Sequence, residues 1–321
     1  MSGLLLGVDG GNTKTVAVVV DRSGSVLGAG GAGCGDIHNA RSPEPALVEI
    51  VQAASAALDA AGATSADLGV AAFSLAGADW PEDFERLRRE LKGRLDLAAE
   101  PEIVNDAIGG LRCGSDELVG VSVVIGTYSA VGGRSADGTV FHLGFWPEKT
   151  GAFALGSLAL AAVWRHMLGL GPNTSLIARA LERWDCADAQ ELLYAFTRIG
   201  GLDESEPGRF ADAVLDEAEA GDGVATSIVE TVAARMGDYA RVCAERTGQL
   251  GAPFPLVLCG GVLRHPSAIL REVVHSRVPD ARPVYPDVDP VVGAVLIAAD
   301  RIGARPDLSA LRSWLSAEAR A

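Results

Sequence analysis

The sequence predicts an α/β protein built from two lobes around a shared cleft. The chain has 321 residues, which is longer than one typical domain. Hydrophobic residues make up 48% of it and charged residues only 21%, which is enough apolar material for two large cores. A succession of strand, glycine-containing turn and strand begins near residue 4 and starts again near residue 118.

The first lobe is predicted to open with a three-stranded meander. Apolar runs at 4–8 and 16–20 flank a glycine-rich turn, and a short third strand follows at 26–27. Helical spacing then alternates with apolar runs, which predicts a helix over 43–61, a strand over 68–75, a helix over 81–95 and a strand over 102–105. The expected order is βββαβαβα.

The second lobe is predicted to repeat the meander with strands at 119–125, 130–132 and 140–143. The pattern then predicts helices over 151–168, 175–181, 187–196, 209–219 and 222–247, a strand over 255–259, a helix from Gly261, a strand over 282–285, and helices over 290–301 and 306–321. We assign residues 1–115 to the first lobe and 116–296 to the second, which carries a helical insertion. A C-terminal helix at about 297–321 is expected to join the first lobe.

The composition argues against several classes of function. A net charge of -15 repels the phosphates of nucleic acids and of anionic lipids, so neither a nucleic acid nor a membrane is an expected partner. The cysteines lack any Cys-x-x-Cys pair and number five, so neither a metal site nor a disulfide framework is expected. The N-terminus lacks the basic segment of a signal peptide, and we expect a cytoplasmic protein.

The first turn is a candidate phosphate-binding loop, Asp9-Gly10-Gly11-Asn12-Thr13-Lys14. Its two glycines allow close backbone approach, and successive amide N–H groups can surround phosphate oxygens. Thr13 and Lys14 add a hydroxyl group and a positive charge. Asp9 ends a buried strand, where it could hold Mg²⁺ through water. An ordinary glycine hairpin with a capping aspartate is the structural alternative.

Two later turns resemble the first. Gly126-Thr127-Tyr128-Ser129 joins two strands, and Cys259-Gly260-Gly261-Val262 follows another strand and is predicted to open a helix. With Asn105-Asp106-Ala107 and Pro290-Val291-Val292-Gly293-Ala294, these motifs resemble the sugar-kinase, actin and hexokinase superfamily. The closest resemblance is to the BadF/BadG/BcrA/BcrD ATPase family and its N-acetylglucosamine kinase-like branch. It spans nearly the whole chain and implies two ribonuclease-H-like lobes with an interlobe cleft.

The resemblance implies ATP-dependent phosphoryl transfer to a hydroxyl of a sugar or amino sugar, with Mg²⁺ as cofactor. Asp106 matches the catalytic base of related sugar kinases, and a carboxylate at the end of a strand suits that task; helix capping is its alternative role. The implied nucleotide-binding residues are Asp9, Gly10, Gly11, Asn12, Thr13, Lys14, Gly126, Thr127, Ser129, Gly260 and Gly261. The implied substrate-binding residues are Asp36, Asn105, Asp106 and Trp146. Relatives are often homodimers, and the sequence leaves the oligomeric state open.

Some positions depart from the family pattern. Tyr128 replaces a glycine of the second loop, and Ala152 and Phe153 stand where relatives carry two carboxylates that face the sugar. A tyrosine is strained if that position needs a positive φ, and the ring could instead stack on or plug the cleft. These changes keep open a rival: a degenerate kinase-fold protein that binds sugar or nucleotide without efficient transfer. A dehydratase or reductase activator is a third class, but Cys113 alone cannot hold its iron–sulfur cluster.

Overall fold

A computed structural model describes residues 3–143, 148–203, 205–307, 309 and 311. Its first sheet has the strand order β3-β2-β1-β4-β5. The strands are β1 (Leu4–Gly10), β2 (Thr15–Val20), β3 (Val26–Ala32), β4 (Leu68–Leu75) and β5 (Glu102–Asn105). Strands β1 to β3 pair antiparallel, whereas β4 is parallel to both β1 and β5. The third strand is longer than predicted because it pairs with β2 from Val26 to Ala32, and Gly28 and Gly30 allow α1 to pack directly on its backbone.

The second sheet repeats this arrangement in the order β10-β9-β6-β7-β8. Its strands are β6 (Gly120–Ile125), β7 (Ser129–Arg134), β8 (Val140–Leu143), β9 (Pro255–Cys259) and β10 (Arg282–Val284). Strands β6 to β8 pair antiparallel, and β9 is parallel to β6 and β10. The meander predicted to recur at residue 118 is therefore confirmed.

Ten α-helices occur among the described residues. They are α1 (Glu44–Ala60), α2 (Pro81–Arg94), α3 (Asp106–Gly114), α4 (Gly151–Met167), α5 (Leu176–Arg183), α6 (Ala189–Thr197), α7 (Ala211–Glu219), α8 (Gly223–Arg246), α9 (Ile269–Ser276) and α10 (Val291–Arg301). Three 3-10 helices span Ser65–Asp67, Glu206–Phe210 and Val262–Arg264. The periodicity that predicted the first helix corresponds to a buried face, since Leu47, Ile50, Ala54 and Leu58 all pack into the core of the first lobe.

The helix predicted to begin at Gly261 is wrong in its start. Only the short 3-10 helix Val262–Arg264 follows Gly261, and α9 begins at Ile269. Pro266 explains the interruption, because its ring disfavours helical backbone at the preceding residue and it has no amide hydrogen to donate. His265 accordingly has an extended ψ of 140°.

Helix α10 packs against the first sheet. A Cβ on Gly7 of β1 would lie 2.5 Å from Val295 Cγ2, so glycine is needed for this close contact. Helices α3 and α10 also meet at two glycines, since a Cβ on Gly293 would lie 2.0 Å from Gly109 O. Helix α3 therefore lies firmly against α10, and its first residue is Asp106.

The predicted lobe boundaries and the predicted tail helix stay predictions. Most of residues 306–321 lies outside the described part of the chain. Among the described residues, no helix combines the length and the apolar character needed to cross a bilayer.

Candidate active site

The first candidate phosphate loop is the turn between β1 and β2. The amide of Gly11 donates to Lys14 O at 3.0 Å, which closes the turn. Asp9 lies next to it near the carboxyl end of β1. A Cβ on Gly10 would lie 2.7 Å from Leu75 Cδ2, so this glycine allows β1 to pack against β4. The turn itself faces the space between the two sheets, where Gly11 and Lys14 both line the cleft.

The second candidate loop lies between β6 and β7 and is held by the start of α4. The amide of Gly126 donates to Tyr128 O at 2.9 Å. The amide of Ala152 donates to Gly126 O at 2.9 Å, and that of Phe153 donates to Thr127 O at 3.0 Å. Ala152 and Phe153 thus hold the loop through their backbones, whatever their side chains contribute to a substrate.

Tyr128 is accommodated without backbone strain. It is not among the described residues that have a positive φ, so the loop does not require glycine there. Its ring lies 5.5 Å from the ring of Phe153, with an interplanar angle of 31°. The side chain is 39% exposed and lines the cleft. Tyr128 therefore forms part of the cleft wall.

The two loops touch each other across the cleft. Thr13 Oγ1 and Thr127 Oγ1 are 2.6 Å apart, which is a hydrogen bond between side chains 114 residues apart in sequence. This contact brings the turn of the first sheet against the equivalent turn of the second sheet. The backbone amides of both turns therefore border one region of space.

The third candidate loop follows β9. Gly260 has a φ of +105°, and a Cβ at this position would lie 2.4 Å from Ile125 O. Gly260 therefore needs to be glycine for two independent reasons, its backbone conformation and its contact with β6. Gly261 has neither requirement, because a Cβ there would meet nothing within 4 Å.

A single cleft of about 1200 Å³ brings together most of the residues singled out from the sequence. Its lining includes Asp9, Gly11, Asn12, Thr13, Lys14, Asp36, Asn105, Asp106, Gly126, Thr127, Ser129, Gly260 and Gly261. Gly10 packs against Leu75 instead, as described above. Trp146 lies outside the described residues. The functional roles assigned to these residues from the sequence stay predictions.

Asn105, rather than Asp106, caps helix α3. Asn105 Oδ1 accepts a hydrogen bond from Ala107 N at 3.0 Å, and Asp106 is the first residue of the helix. The capping role considered for Asp106 is therefore wrong. Asp106 Oδ1 is buried and accepts no hydrogen bond within the part of the chain that the structure describes. Since buried polar atoms are normally paired, this oxygen is available to a ligand in the cleft.

Sequence reasoning missed other residues of the cleft. Asp79 lies there because the turn after β4 brings it beside Asn105, whose Nδ2 donates to Asp79 Oδ1 at 3.2 Å. Arg264, in the short 3-10 helix after Gly261, forms an ion pair with Asp289, and both line the cleft. No local motif marks Asp79, although its place after a strand that is parallel to β1 is a signal that could have found it.

The carboxylates of the cleft have strongly raised pKa values. Burial, followed by the charge of Asp9, raises the pKa of Asp106 to about 8. Burial likewise raises the pKa of Asp9 to about 7, although the nearby Lys14 charge opposes the change. Burial and then the charge of Asp36 raise the pKa of Asp79 to about 7. Such values are typical of sites where positive charge or a proton arrives with a ligand.

The model of the BadF/BadG/BcrA/BcrD ATPase family matches residues 6–298. The chain belongs to this family. The BadF/BadG/BcrA/BcrD match covers both sheets and all three candidate loops, in agreement with the resemblance found in the sequence motifs.

Relatives of this BadF/BadG/BcrA/BcrD family member include an N-acetyl-D-glucosamine kinase of Dictyostelium discoideum, which is 24% identical over 92% of this chain and 97% of its own length. A solved structure of a candidate N-acetylglucosamine kinase from Chromobacterium violaceum has a TM-score of 0.67 at 21% identity and covers 92% of this chain and 99% of its own. A ROK family glucokinase from Streptomyces griseus, in complex with glucose and AMPPNP, has a TM-score of 0.58 at 17% identity, with 92% and 98% covered. These structures confirm the predicted two-lobed fold.

One carboxylate beside the first candidate loop, that of Asp9, suits a magnesium ion that is shared with phosphates. Among the described residues no group of three or more His, Cys, Asp or Glu side chains has the arrangement of a protein-built metal site. Mg²⁺ in phosphoryl-transfer sites is commonly held by one or two carboxylates together with substrate phosphates and water. Asp9 fits this mode, because it is a partly buried carboxylate next to the first candidate loop and its only described side-chain hydrogen bond is a long one of 3.5 Å from Ser74 Oγ.

Proposed function

We propose that this protein transfers the γ-phosphate of ATP to a hydroxyl group of a sugar or amino sugar, in the manner of an N-acetylglucosamine or glucosamine kinase. The observation that carries the proposal is the unpaired carboxylate oxygen of Asp106, which is buried beside the loops at Gly11 and Gly126 in one cleft. The family membership and the kinases among the relatives agree with this chemistry.

Asp106 would act as the general base. It takes the proton of the substrate hydroxyl as that oxygen forms a bond to the γ-phosphorus, and the bond from phosphorus to the bridging oxygen of ADP breaks. Without ligands, burial raises its pKa to about 8, so the carboxyl group is mostly protonated at neutral pH, and positive charge that arrives with the ligands would ionise it to the form that acts as the base. Its backbone is fixed because α3 is capped by Asn105 and packs on α10 at Gly293.

The phosphates would be held by the two opposed turns. Backbone amides in the turns containing Gly11 and Gly126, the hydroxyls of Thr13 and Thr127, and the Lys14 ammonium group all border the same region. Mg²⁺ would neutralise phosphate charge, and Asp9 is the residue that would hold it through water. The third loop at Gly260-Gly261 would contact the adenosine side of the nucleotide.

The decisive experiment measures ADP release with D-glucosamine, N-acetyl-D-glucosamine and D-glucose. We expect sugar-dependent turnover, and we expect Asp106→Asn to lower kcat by roughly 10² to 10⁴-fold. Asp59→Asn is the matched control, because this exposed carboxylate lies on α1 outside the cleft. Stimulated turnover that survives Asp106→Asn would contradict the proposed base.

The same assay distinguishes the proposed kinase from the main alternative, a degenerate kinase-fold protein. Ala152 replaces a carboxylate expected on the sugar side, and this observation favours a protein that binds ligands without transferring phosphate. Calorimetric binding of ATP or sugar without turnover on any sugar would establish that alternative. For the metal, chelation with EDTA should abolish turnover, and Asp9→Asn should raise the Mg²⁺ concentration needed for ATP binding.

A further inference from the structure

One wall of the cleft is unusually acidic. Asp36, Asp79 and Asp106, which we call the acidic wall, all line the cleft although they come from three separate connections of the first sheet. Asp36 follows β3, Asp79 follows β4, and Asp106 follows β5. The three carboxylates are close enough to affect one another, since Asp36 raises the pKa of Asp79 and both raise that of Asp106.

Asp79 is a largely buried member of the acidic wall. Its side chain is 7% exposed, and its Oδ1 accepts from Asn105 Nδ2 at 3.2 Å. Its Oδ2 lies 4.0 Å from His38 Nε2, which is beyond hydrogen-bond distance. His38 Nε2 is instead 2.9 Å from Asp83 Oδ2. Asp79 Oδ2 therefore has no hydrogen-bond donor among the described side chains, although it is an acceptor in the wall of a cleft.

The other two members also present acceptor oxygens. Asp36 Oδ1 accepts from the backbone amide of His38 at 2.8 Å. Asp106 Oδ1 is buried and has no hydrogen-bond partner within the described chain. Two oxygens in the same wall, one each from Asp79 and Asp106, thus lack a donor that a ligand could supply.

Positive charge in the described cleft lining lies mostly elsewhere. Lys14 is in the first loop, where it opposes the raised pKa of Asp9. Arg264 pairs with Asp289, and Arg209 pairs with Glu206. His38 is the cationic side chain nearest to the acidic wall: it pairs with Asp83 at 2.9 Å and lies 4.0 Å from Asp79, and its charge opposes the raised pKa values of Asp36 and Asp79. Partly buried carboxylates without a lysine or arginine partner are costly in their charged form, so they hold protons until a ligand brings positive charge.

We propose that the acidic wall binds the ammonium group of the substrate, so that the phosphorylated sugar carries a free, protonated amine rather than an N-acyl group. Asp79 and Asp36 would accept hydrogen bonds from the ammonium group, while Asp106 takes the proton of the reacting hydroxyl. An ammonium group offers three donors and a positive charge, whereas an acylated nitrogen offers one donor and brings a carbonyl oxygen that carboxylates repel. This inference rests on the proposed kinase function and makes its substrate class narrower.

The test compares kcat/KM at pH 7 for D-glucosamine, N-acetyl-D-glucosamine and D-glucose. Because a hydrogen bond to a charged group discriminates by roughly tenfold or more, we expect D-glucosamine to be preferred over both neutral sugars by at least that factor. Asp79→Asn keeps the shape of the side chain and removes its charge. It should raise KM for D-glucosamine by roughly tenfold, with kcat and the D-glucose parameters changing much less. Asp36→Asn should act in the same direction.

Two controls distinguish a loss of the acidic wall from a general change in charge or stability. Glu82→Gln removes a nearby exposed charge of α2 outside the cleft and should leave the preference unchanged. Each variant is first checked for an unchanged melting temperature, and Asp36→Asn serves if Asp79→Asn is unstable. A wild-type preference for a neutral or N-acylated sugar would overturn the proposal, and so would an equal loss on all three sugars in Asp79→Asn.

A binding measurement separates this inference from the proposed function. If no sugar is phosphorylated, the kinase proposal fails, but calorimetry with the same three sugars and a non-hydrolysable ATP analogue still tests the acidic wall. Tighter binding of D-glucosamine that is lost in Asp79→Asn would support the ammonium site. Equal binding of the three sugars, or no binding of D-glucosamine, would overturn it.

Discussion

The hydroxyl groups of Thr13 and Thr127 are 2.6 Å apart and join the two glycine-containing turns that face each other across the cleft. Thr13 belongs to the turn after β1 and Thr127 to the turn after β6, so the contact links equivalent positions in the two sheets. The relative position of these two turns decides whether their amides can hold the same phosphate chain. Substitution of the two threonines therefore tests whether the two turns bind one nucleotide together.

Replacing both threonines by valine should reveal their coupling. Thr13→Val and Thr127→Val each remove one hydroxyl while preserving a branched side chain, and a double-mutant cycle isolates the pair. We expect a coupling energy of about 0.5–1.5 kcal/mol in ATP binding, measured by calorimetry. Thr231→Val is the control, since Thr231 is an exposed residue of α8 whose Oγ1 donates to Ser227 O of the same helix. Strictly additive effects would show that the contact has no role in nucleotide binding.

Stability should depend on pH through Asp106. Its pKa rises from 3.8 to about 8 in the folded protein, so between these values the folded state binds more protons than the unfolded state. The free energy of unfolding contributed by this group therefore falls as pH rises through that window. The Asp106→Asn variant lacks this pH dependence. In the absence of ligands, its free energy of unfolding relative to that of wild type should therefore increase from pH 4 to pH 8. Melting curves at each pH measure the difference, and a difference that is constant with pH would contradict the prediction.

Two neighbouring glycines of the third loop should respond differently to alanine. Gly260→Ala introduces a Cβ 2.4 Å from Ile125 O at a φ of +105°, so we expect a loss of about 1–3 kcal/mol of stability. Gly261→Ala meets nothing within 4 Å and should change stability by less than about 0.5 kcal/mol. Chemical denaturation of both variants makes the comparison. Equal free energies of unfolding for the two variants would mean that the loop shifts to accommodate the new Cβ at position 260.

An ion pair between α3 and α10 should stabilise the helix that carries Asp106. Arg112 is 6% exposed, and its Nε and Nη2 donate to the two carboxylate oxygens of Asp300 at 2.7 and 3.2 Å. Asp300→Ala leaves the Arg112 charge buried without this partner, so we expect a loss of about 2 kcal/mol or more. Asp116 lies 3.7 Å from the same arginine but is fully exposed, and Asp116→Ala should cost less than about 0.5 kcal/mol.

The ion-pair prediction is measured by urea denaturation of both variants. If Asp300→Ala and Asp116→Ala lose the same small amount, the Arg112–Asp300 pair does not hold α3 in place. Where the Asp300→Ala variant is fully folded, its kcat should stay near that of wild type, because Asp300 lies outside the cleft lining.

Local sequence patterns were sufficient to predict much of the fold of this protein. The alternation of apolar runs with the turns at Gly10-Gly11 and Gly126 was sufficient to predict both meanders, because strands and tight turns depend on neighbouring residues. The motifs at Asp9 and Asp106 also indicated the family. The predicted start of a helix at Gly261 was wrong because Pro266 interrupts the helix. The prediction had used the spacing of apolar residues, which does not take a proline into account.

Tertiary structure alone decided which polar groups meet. Asp79 has no motif of its own, and it joins Asp36 and Asp106 because parallel strands β4 and β5 end at the same edge of the sheet. Asn105 caps α3 and leaves Asp106 Oδ1 unpaired, which depends on the side-chain directions at the start of one helix. The hydrogen bond between Thr13 and Thr127 spans 114 residues, and contacts at such separations follow from how two sheets pack rather than from neighbouring sequence. Local sequence was enough to predict the loops and the family, whereas the packing of the strands brought the three carboxylates of the cleft wall together.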